Sequence, residues 1–140
     1  MRLKNIYGKL VYKNVRSKLI DWDGKSRSKV QRQVKKFLKD YWSKCIVYEE
    51  FPVYGSRMSV DILNATKKIA VEVQGRQHDE YNKFFHKNKI NYLYSMERDF
   101  NKKKWLEQND FQLVEILELE AANLNEKFFS EKYGIILQKV

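Results

Sequence analysis

Residues 57–78 constrain the fold of this chain more than any other stretch. Two short apolar segments flank a turn at residues 64–67, which is typical of a β-hairpin. The first segment contains Asp61, and the second contains Glu72 and Gln74. A carboxylate in the middle of an apolar strand is unfavourable unless a cation meets it. The stretch therefore predicts a strand pair that carries a cation-binding site.

Strand geometry predicts that the acidic side chains lie together. Side chains two residues apart share a face of a strand, so Glu72 and Gln74 point the same way. A hairpin centred on residues 65–66 pairs Asp61 with Ala70, which puts Asp61 on that same face. Asp61 and Glu72 are then diagonal neighbours, roughly 5–8 Å apart. Two carboxylates at this spacing can share Mg²⁺, which takes few carboxylates and keeps several waters.

A site of this kind is suited to phosphodiester hydrolysis. Bound Mg²⁺ lowers the pKa of a coordinated water and screens charge on the phosphate. Asp61 and Glu72 would hold the ion, together with the backbone carbonyl of Val73. Gln74 has no titratable proton, so it would orient the water or a phosphate oxygen. His78 titrates near neutrality and would act as general base or as proton donor to the leaving oxygen.

Each of these residues also has an ordinary structural interpretation. Asp61 could pair with Arg57, Arg76 or a lysine. Glu72 could lie on an exposed edge, and His78 could be a plain loop histidine. The combined spacing, D-x10-E-x-Q-G-x-x-H, favours the catalytic interpretation over these. Two further acids at a strand end, Glu49 and Glu50, are weaker candidates for the same site.

The excess positive charge is confined to the first third of the chain. Residues 1–44 hold 14 Lys and Arg against 3 Asp and Glu, whereas the remainder holds 14 against 15. Such a localised field favours a polyanion, and the alternative is a generic solubilising surface. Nucleic acid, here DNA, is favoured over a membrane surface, because the sequence contains no strongly amphipathic terminal helix with a lipid-type apolar face. No apolar run approaches 18 residues, so no membrane span is expected. A single cysteine, Cys45, and no signal peptide fit an intracellular location.

The periodicity of the apolar residues predicts a single α/β domain, with a mixed central sheet and helices on both faces. Residues 1–25 form a basic arm, with a short helix or a hairpin, that docks on the core or on DNA. Residues 26–140 form the domain. The predicted elements are a helix at 26–44, strands at 45–53, 57–64 and 68–74, a helix or long loop at 79–94, a helix at 97–109, a strand at 111–117 and a helix at 119–133.

Two of these helices carry predictions about individual side chains. Ser28 and Gln31 resemble a capping box at the start of the first helix. In the helix at 97–109, the inward residues are predicted to be Phe100, Trp105 and Leu106. The polar face of the first helix is predicted to expose five cations to solvent or phosphate: Lys29, Arg32, Lys35, Lys36 and Lys39.

From about Ser28 to Ile116 the sequence resembles the PD-(D/E)xK nuclease superfamily. Within it, the chain is most similar to the very-short-patch-repair endonucleases and the E-D-x-H-D homing endonucleases. Four motifs carry the resemblance: a helix of form S/T-x-x-E at residues 28–31, a strand Asp in Val60-Asp61-Ile62, a strand of form I-E-x-D/H-G-x-x-H at residues 71–78, and E-R-D at residues 97–99.

The resemblance implies a restriction endonuclease-like core and a DNA endonuclease that uses Mg²⁺ or Mn²⁺. It also fits a gene carried by a phage or mobile element. Asp61 and His78 would be the chemical pair, and Asp99 would position His78 or a metal-bound water. Two positions depart from the family pattern. Gln31 replaces the acid of the first helix, so the contact of that acid with the metal or with water is lost or remade. Gln74 replaces the usual lysine.

Three functions stay open at this point. The first is a metal-dependent DNA endonuclease, and the second is a junction or mismatch resolvase that acts as a homodimer. The third is a non-cleaving nucleic-acid-binding protein on a decayed nuclease fold, motivated by Gln31 and Gln74. Three aromatic residues of the arm could stack on bases or pack on the core: Tyr7, Tyr12 and Trp22.

Overall fold

The computed structural model describes residues 1–74 and 89–140. Over these residues the strands are β1 (Arg2–Lys4), β2 (Leu10–Tyr12), β3 (Val47–Pro52), β4 (Ser59–Asn64), β5 (Ile69–Gln74) and β6 (Gln112–Leu117). The helices are α1 (Lys29–Trp42), α2 (Lys89–Gln108), α3 (Glu118–Ala121) and α4 (Glu126–Tyr133), and a 3₁₀ turn covers Arg16–Lys18.

The central sheet has the strand order β3-β4-β5-β6. The first two pairs are antiparallel, and β5 pairs with β6 in parallel. Helices α1 and α4 contribute to a buried cluster on one side of the sheet, whereas α2 contributes to a second cluster with the N-terminal arm. The predicted α/β domain, with a mixed sheet and helices on both faces, is therefore confirmed.

Helix α1 is ordered by its cap and by its apolar stripe. Ser28 has extended backbone angles and its hydroxyl accepts a hydrogen bond from Gln31 N at 3.1 Å, so the helix begins at Lys29. Its inward stripe, Val34, Leu38 and Trp42, is fully buried. The predicted cap at Ser28 is confirmed, but the Gln31 side chain reaches the sheet instead of completing a capping box.

The predicted register of the β4–β5 hairpin is wrong by two residues. Ala70 pairs with Leu63, not with Asp61, and Asn64 pairs with Ile69. The turn is longer than predicted because it contains residues 65–68. It is held by Lys67 N donating to Asn64 Oδ1 at 2.9 Å and by a positive φ of 59° at Lys68. A shift of two residues preserves which side chains share a face.

The helical half of the chain differs from the prediction in three respects. A single helix, α2, replaces the two predicted segments over its described length, and the rest of the 79–94 segment lies outside the described residues. Phe100 is exposed, not inward, because it points about 120–140° away from Trp105 and Leu106 around the helix. The predicted helix at 119–133 is two helices, since Asn125 caps a new start by accepting from Phe128 N.

The N-terminal arm is a β1–β2 hairpin followed by a segment that extends the sheet. Leu3 and Val15 are buried in the α2-side cluster. Ile20 N donates to Val47 O at 3.0 Å, and Leu19 bridges to Tyr48, so the arm adds to the free edge of β3. Trp22 packs against the α1-side cluster, whereas Tyr7 and Tyr12 are exposed. Contact between the arm and DNA stays a prediction.

Candidate functional site

The antiparallel ladder between β3 and β4 is distorted where it meets the predicted site. Glu49 pairs with Ile62 and Phe51 pairs with Val60, but residues 50 and 61 between them are not paired. Glu50 has a left-handed φ of 54°. Side chains two or four apart in a regular strand share a face. Here Ile62 and Val60 lie in opposite clusters, as do Val47 and Phe51. The distortion turns both strands at the acidic positions.

Asp61 and Glu72 meet where β4 and β5 stop pairing. The ladder between these strands ends at Ile62 and Val71. Beyond it, the carboxylates bond to the backbone: Asp61 N donates to Glu72 Oε2 at 3.0 Å, and Val73 N donates to Asp61 Oδ2 at 2.8 Å. The two acids are thus direct cross-strand neighbours, nearer than the predicted diagonal pair.

The environment of Asp61 disfavours its negative charge. Burial raises the pKa of Asp61 to about 7, and the nearby carboxylates of Glu72 and Glu50 push it in the same direction. The Val73 N–H opposes this shift by stabilising the ionised form. Among the described residues, no Lys or Arg forms an ion pair with Asp61. An added cation would therefore be favourable at this position.

Asp61 is expected to make the protein less stable as the pH rises from about 4 to about 7. Over this interval the folded protein keeps a proton that the unfolded chain has released, because the pKa of Asp61 rises from 3.8 to about 7 on folding. We expect Asp61→Asn to be on the order of 2 kcal/mol more stable than the wild type at pH 8 in EDTA, with little difference near pH 4. Urea unfolding at both pH values measures this, and a gain that does not depend on pH would contradict it.

Lys102 is a site residue that the sequence analysis missed. Its Nζ donates to Glu72 Oε1 at 2.5 Å, and both side chains are largely buried. The sequence did contain a signal, since Lys102 lies three and four residues before Trp105 and Leu106. Residues at these spacings share a helix face, so a lysine there points toward the sheet.

Gln74 and Asp99 are linked through two other side chains. Gln74 Nε2 donates to Glu115 Oε2 at 2.8 Å, and Glu115 pairs with Lys103 Nζ at 3.1 Å. Lys103 also pairs with Asp99 at 3.3 Å, and the two acids raise the pKa of Lys103 against the opposing effect of burial. His78 lies outside the described residues, so its predicted arrangement with Asp61 and Asp99 stays a prediction.

Gln31 binds two acids of β3. Its amide Nε2 donates to Glu49 Oε2 at 2.8 Å and to Glu50 Oε1 at 3.0 Å. Gln31 is buried, and Glu50 is one of the charges that act on Asp61. Gln31 is thus connected to the acidic pair through Glu50. The catalytic role predicted for Gln31 stays a prediction.

Lys35 corrects the prediction of an exposed basic face on α1. It is completely buried, and its ammonium donates to Glu49 Oε1 at 3.1 Å, to Gly24 O at 3.1 Å and to Lys25 O at 3.4 Å. All three of its N–H groups are therefore used. The reason is position: Lys35 follows Gln31 by four residues, so both side chains face the β3 acids.

The described residues offer two carboxylates to an ion, not three. Within residues 1–74 and 89–140, no group of three or more His, Cys, Asp or Glu side chains is arranged to hold a metal. Of these two, Asp61 is the one whose charge the surroundings disfavour, whereas Glu72 already pairs with Lys102, and the Val73 carbonyl is adjacent in the chain. A hard cation that keeps most of its waters suits such a donor set.

Comparisons with known proteins give one relative. No protein-family model matches the chain, and no solved structure matches it. The chain is 34% identical over 65 residues to "Uncharacterized protein 033L" of Invertebrate iridescent virus 3. That alignment covers 46% of this chain and 34% of the viral protein. In the part of the chain that the structure describes, no helix has the length and apolar character needed to cross a membrane.

Proposed function

We propose that this protein is an intracellular, metal-dependent DNA endonuclease with a restriction endonuclease-like core of the PD-(D/E)xK type. The observation that carries the proposal is the Asp61–Glu72 pair, held between two strands where Asp61 is desolvated beside the Glu72 carboxylate. Carboxylates whose environment shifts the pKa this strongly cluster at functional sites. The basic first third of the chain supports DNA as the substrate.

Asp61 and Glu72 would hold Mg²⁺ or Mn²⁺, with the Val73 carbonyl as a further oxygen ligand. When bound, the ion supplies charge neutralisation at the phosphate and lowers the pKa of a coordinated water. The chain supplies the rest of the site. Gln74 uses its amide nitrogen on Glu115, which leaves its carbonyl oxygen to accept from and orient the attacking water. His78 would take up a proton from that water or donate one to the leaving oxygen.

Lys102 would take the place of the superfamily lysine that Gln74 replaces. Its ammonium already lies against Glu72, so it can donate to a phosphate oxygen bound beside that carboxylate. In the absence of an ion it also neutralises Glu72. Lys102 and a divalent cation therefore compete for the Glu72 carboxylate. Both would stabilise the negative charge that develops on the phosphate during cleavage.

Lys102→Ala is expected to lower kcat but to raise the apparent affinity for Mg²⁺. We expect kcat for nicking to fall about 10–100-fold, because a charged donor to the phosphate is lost. The Mg²⁺ concentration for half-maximal activity should fall, because Glu72 no longer has a competing cation. Lys104→Ala, which removes an exposed charge from the same helix, is the matched control. If both variants lost activity equally, Lys102 would have no specific part in the site.

A plasmid assay tests the proposal. Purified protein is incubated with supercoiled DNA and Mg²⁺ or Mn²⁺, and the appearance of nicked or linear product is followed. Nicking that disappears in both Asp61→Ala and His78→Ala supports the proposal. Linear and branched duplexes in parallel reactions separate a general endonuclease from a resolvase, and sizing of the protein in solution tests for the homodimer.

A non-cleaving DNA-binding protein is the second candidate. It is favoured by Lys102, which already neutralises Glu72, and by amides at the positions of Gln31 and Gln74. DNA binding without cleavage in Mg²⁺, Mn²⁺ or Co²⁺ would support this candidate over the endonuclease.

A further inference from the structure

A polar pocket of about 260 Å³ lies between the N-terminal arm and β3. Its walls come from the 3₁₀ turn, the loop at residues 21–27 and the two glutamates in the middle of β3. We call it the Arg27 pocket. The charged side chains that line it are Lys18, Asp21, Lys25, Arg27, Glu49 and Glu50.

Three acids line the pocket, and each accepts a hydrogen bond from the protein. Asp21 is exposed, and its Oδ1 accepts only from Asp23 N at 3.2 Å among the hydrogen bonds of its side chain found in the described residues. Glu49 accepts from Lys35, from Ser26 Oγ at 2.8 Å and from Gln31. Glu50 accepts from Gln31 and from Ser59 Oγ at 2.9 Å. Glu49 and Glu50, each with two or more donors on the protein, have little capacity left for a donor ligand such as a nucleobase amine.

The cations of the pocket, by contrast, extend into solvent. Lys18, Lys25 and Arg27 are exposed. Arg27 lies 3.7 Å from Glu50 with 71% of its side-chain surface accessible, and an exposed pair at that distance is weak. The exposed charged groups of the lining are therefore three cations and one carboxylate, Asp21, and this net positive charge favours an anion.

The loop that carries these cations is held rigidly. The buried Lys35 ammonium binds the carbonyls of Gly24 and Lys25, and the hydroxyl of Ser26 donates to Glu49. Gly24 N also donates to Asp21 O at 3.1 Å. A loop fixed at three successive residues positions its side chains before a ligand arrives, which lowers the entropy lost on binding.

The pocket adjoins the candidate site through Glu50. Glu50 lines the pocket, and it accepts at 2.9 Å from the hydroxyl of Ser59, which lies two residues before Asp61 in β4. We infer that the Arg27 pocket binds a backbone phosphate of DNA on the same side of the molecule as the candidate site. This inference rests on the proposed function, since it assigns the pocket to the same substrate.

Binding of inorganic phosphate to the full chain tests the pocket directly. In a titration followed by ¹H–¹⁵N correlation spectra, we expect the amide shifts to concentrate at Lys25, Ser26 and Arg27. They should disappear in the double variant Lys25→Ala/Arg27→Ala. Shifts spread evenly over the basic surface, or unchanged in the double variant, would show an adventitious ion only and would overturn the inference.

DNA binding provides the second test, in EDTA and on an Asp61→Asn background that prevents cleavage. We expect Lys25→Ala/Arg27→Ala to weaken duplex binding about tenfold and to reduce the salt slope of log K by about 1–2. Lys127→Ala/Lys139→Ala removes two exposed charges from the C-terminal region and should leave both values near those of the parent. Equal losses in the two double variants would overturn the inference. If the parent bound no DNA at all, the proposed function would fail as well.

Discussion

Asp61→Asn is expected to lower the rate of plasmid nicking at least about 10³-fold, the order seen when a group that acts at the reacting atoms is lost. Asparagine has nearly the same shape, and its carbonyl oxygen can still accept from Val73 N, as Asp61 does at 2.8 Å. The variant removes the negative charge that would hold the ion, and little else. We therefore expect DNA binding in EDTA to be unchanged.

Two controls separate this loss from a loss of folding. Asp40→Asn makes the same chemical change at an exposed position of α1 and should leave nicking unaffected. The stability of Asp61→Asn itself should be above that of the wild type at pH 8, because the buried charge is gone. An inactive variant that is also more stable cannot be inactive through unfolding. Nicking by Asp61→Asn at a wild-type rate would exclude Asp61 as a metal ligand.

The proximity of Asp61 and Glu72 could be predicted although the register was wrong. Side-chain direction alternates with a period of two, so an error of two residues in the turn leaves the faces unchanged. Only the relation between the residues changed, from diagonal to direct neighbours. The length of the turn could not be predicted from its composition, because it depends on Lys68 adopting a positive φ and on Asn64 bonding to Lys67.

The partners of the acidic pair were harder to predict, because they come from distant elements. Lys102 reaches Glu72 from α2, thirty residues away, and Glu115 reaches Gln74 from the parallel neighbour β6. For Lys102 the sequence does contain part of the answer, because its spacing of three and four residues from Trp105 and Leu106 places it on the buried face of α2. Phe100 was predicted to face inward although its spacing from Trp105 and Leu106 places it on another side of helix α2.

Glu50 illustrates a different limit. Its left-handed backbone interrupts the β3–β4 ladder and turns the strands at the site. Glutamate has no special preference for that conformation, so nothing in the local sequence indicates it. Bonds from Gln31 and Ser59 to its carboxylate hold Glu50 in this environment, and both depend on the folded arrangement.

Lys35→Met is expected to destabilise the fold by about 3–5 kcal/mol, the usual result of removing one partner from a buried ion pair. Methionine fills much of the space of the lysine stem but provides no positive charge and no donor. Glu49, with only 13% of its side chain accessible, would keep Ser26 and Gln31 but lose its counter-ion. Urea unfolding at neutral pH measures the change, and Lys35→Met/Glu49→Gln should recover most of it.

Lys39→Met provides the matched control, one turn further along α1. Lys39 pairs with Asp23 at 2.7 Å, closer than Lys35 to Glu49, but both side chains of that pair are well exposed. If distance decided the contribution, Lys39 would matter more; because burial decides it, we expect Lys39→Met to unfold like the wild type. Equal destabilisation by the two variants would contradict this account. Lys35→Met should also weaken binding at the Arg27 pocket, since the carbonyls of Gly24 and Lys25 lose the ammonium that fixes their loop.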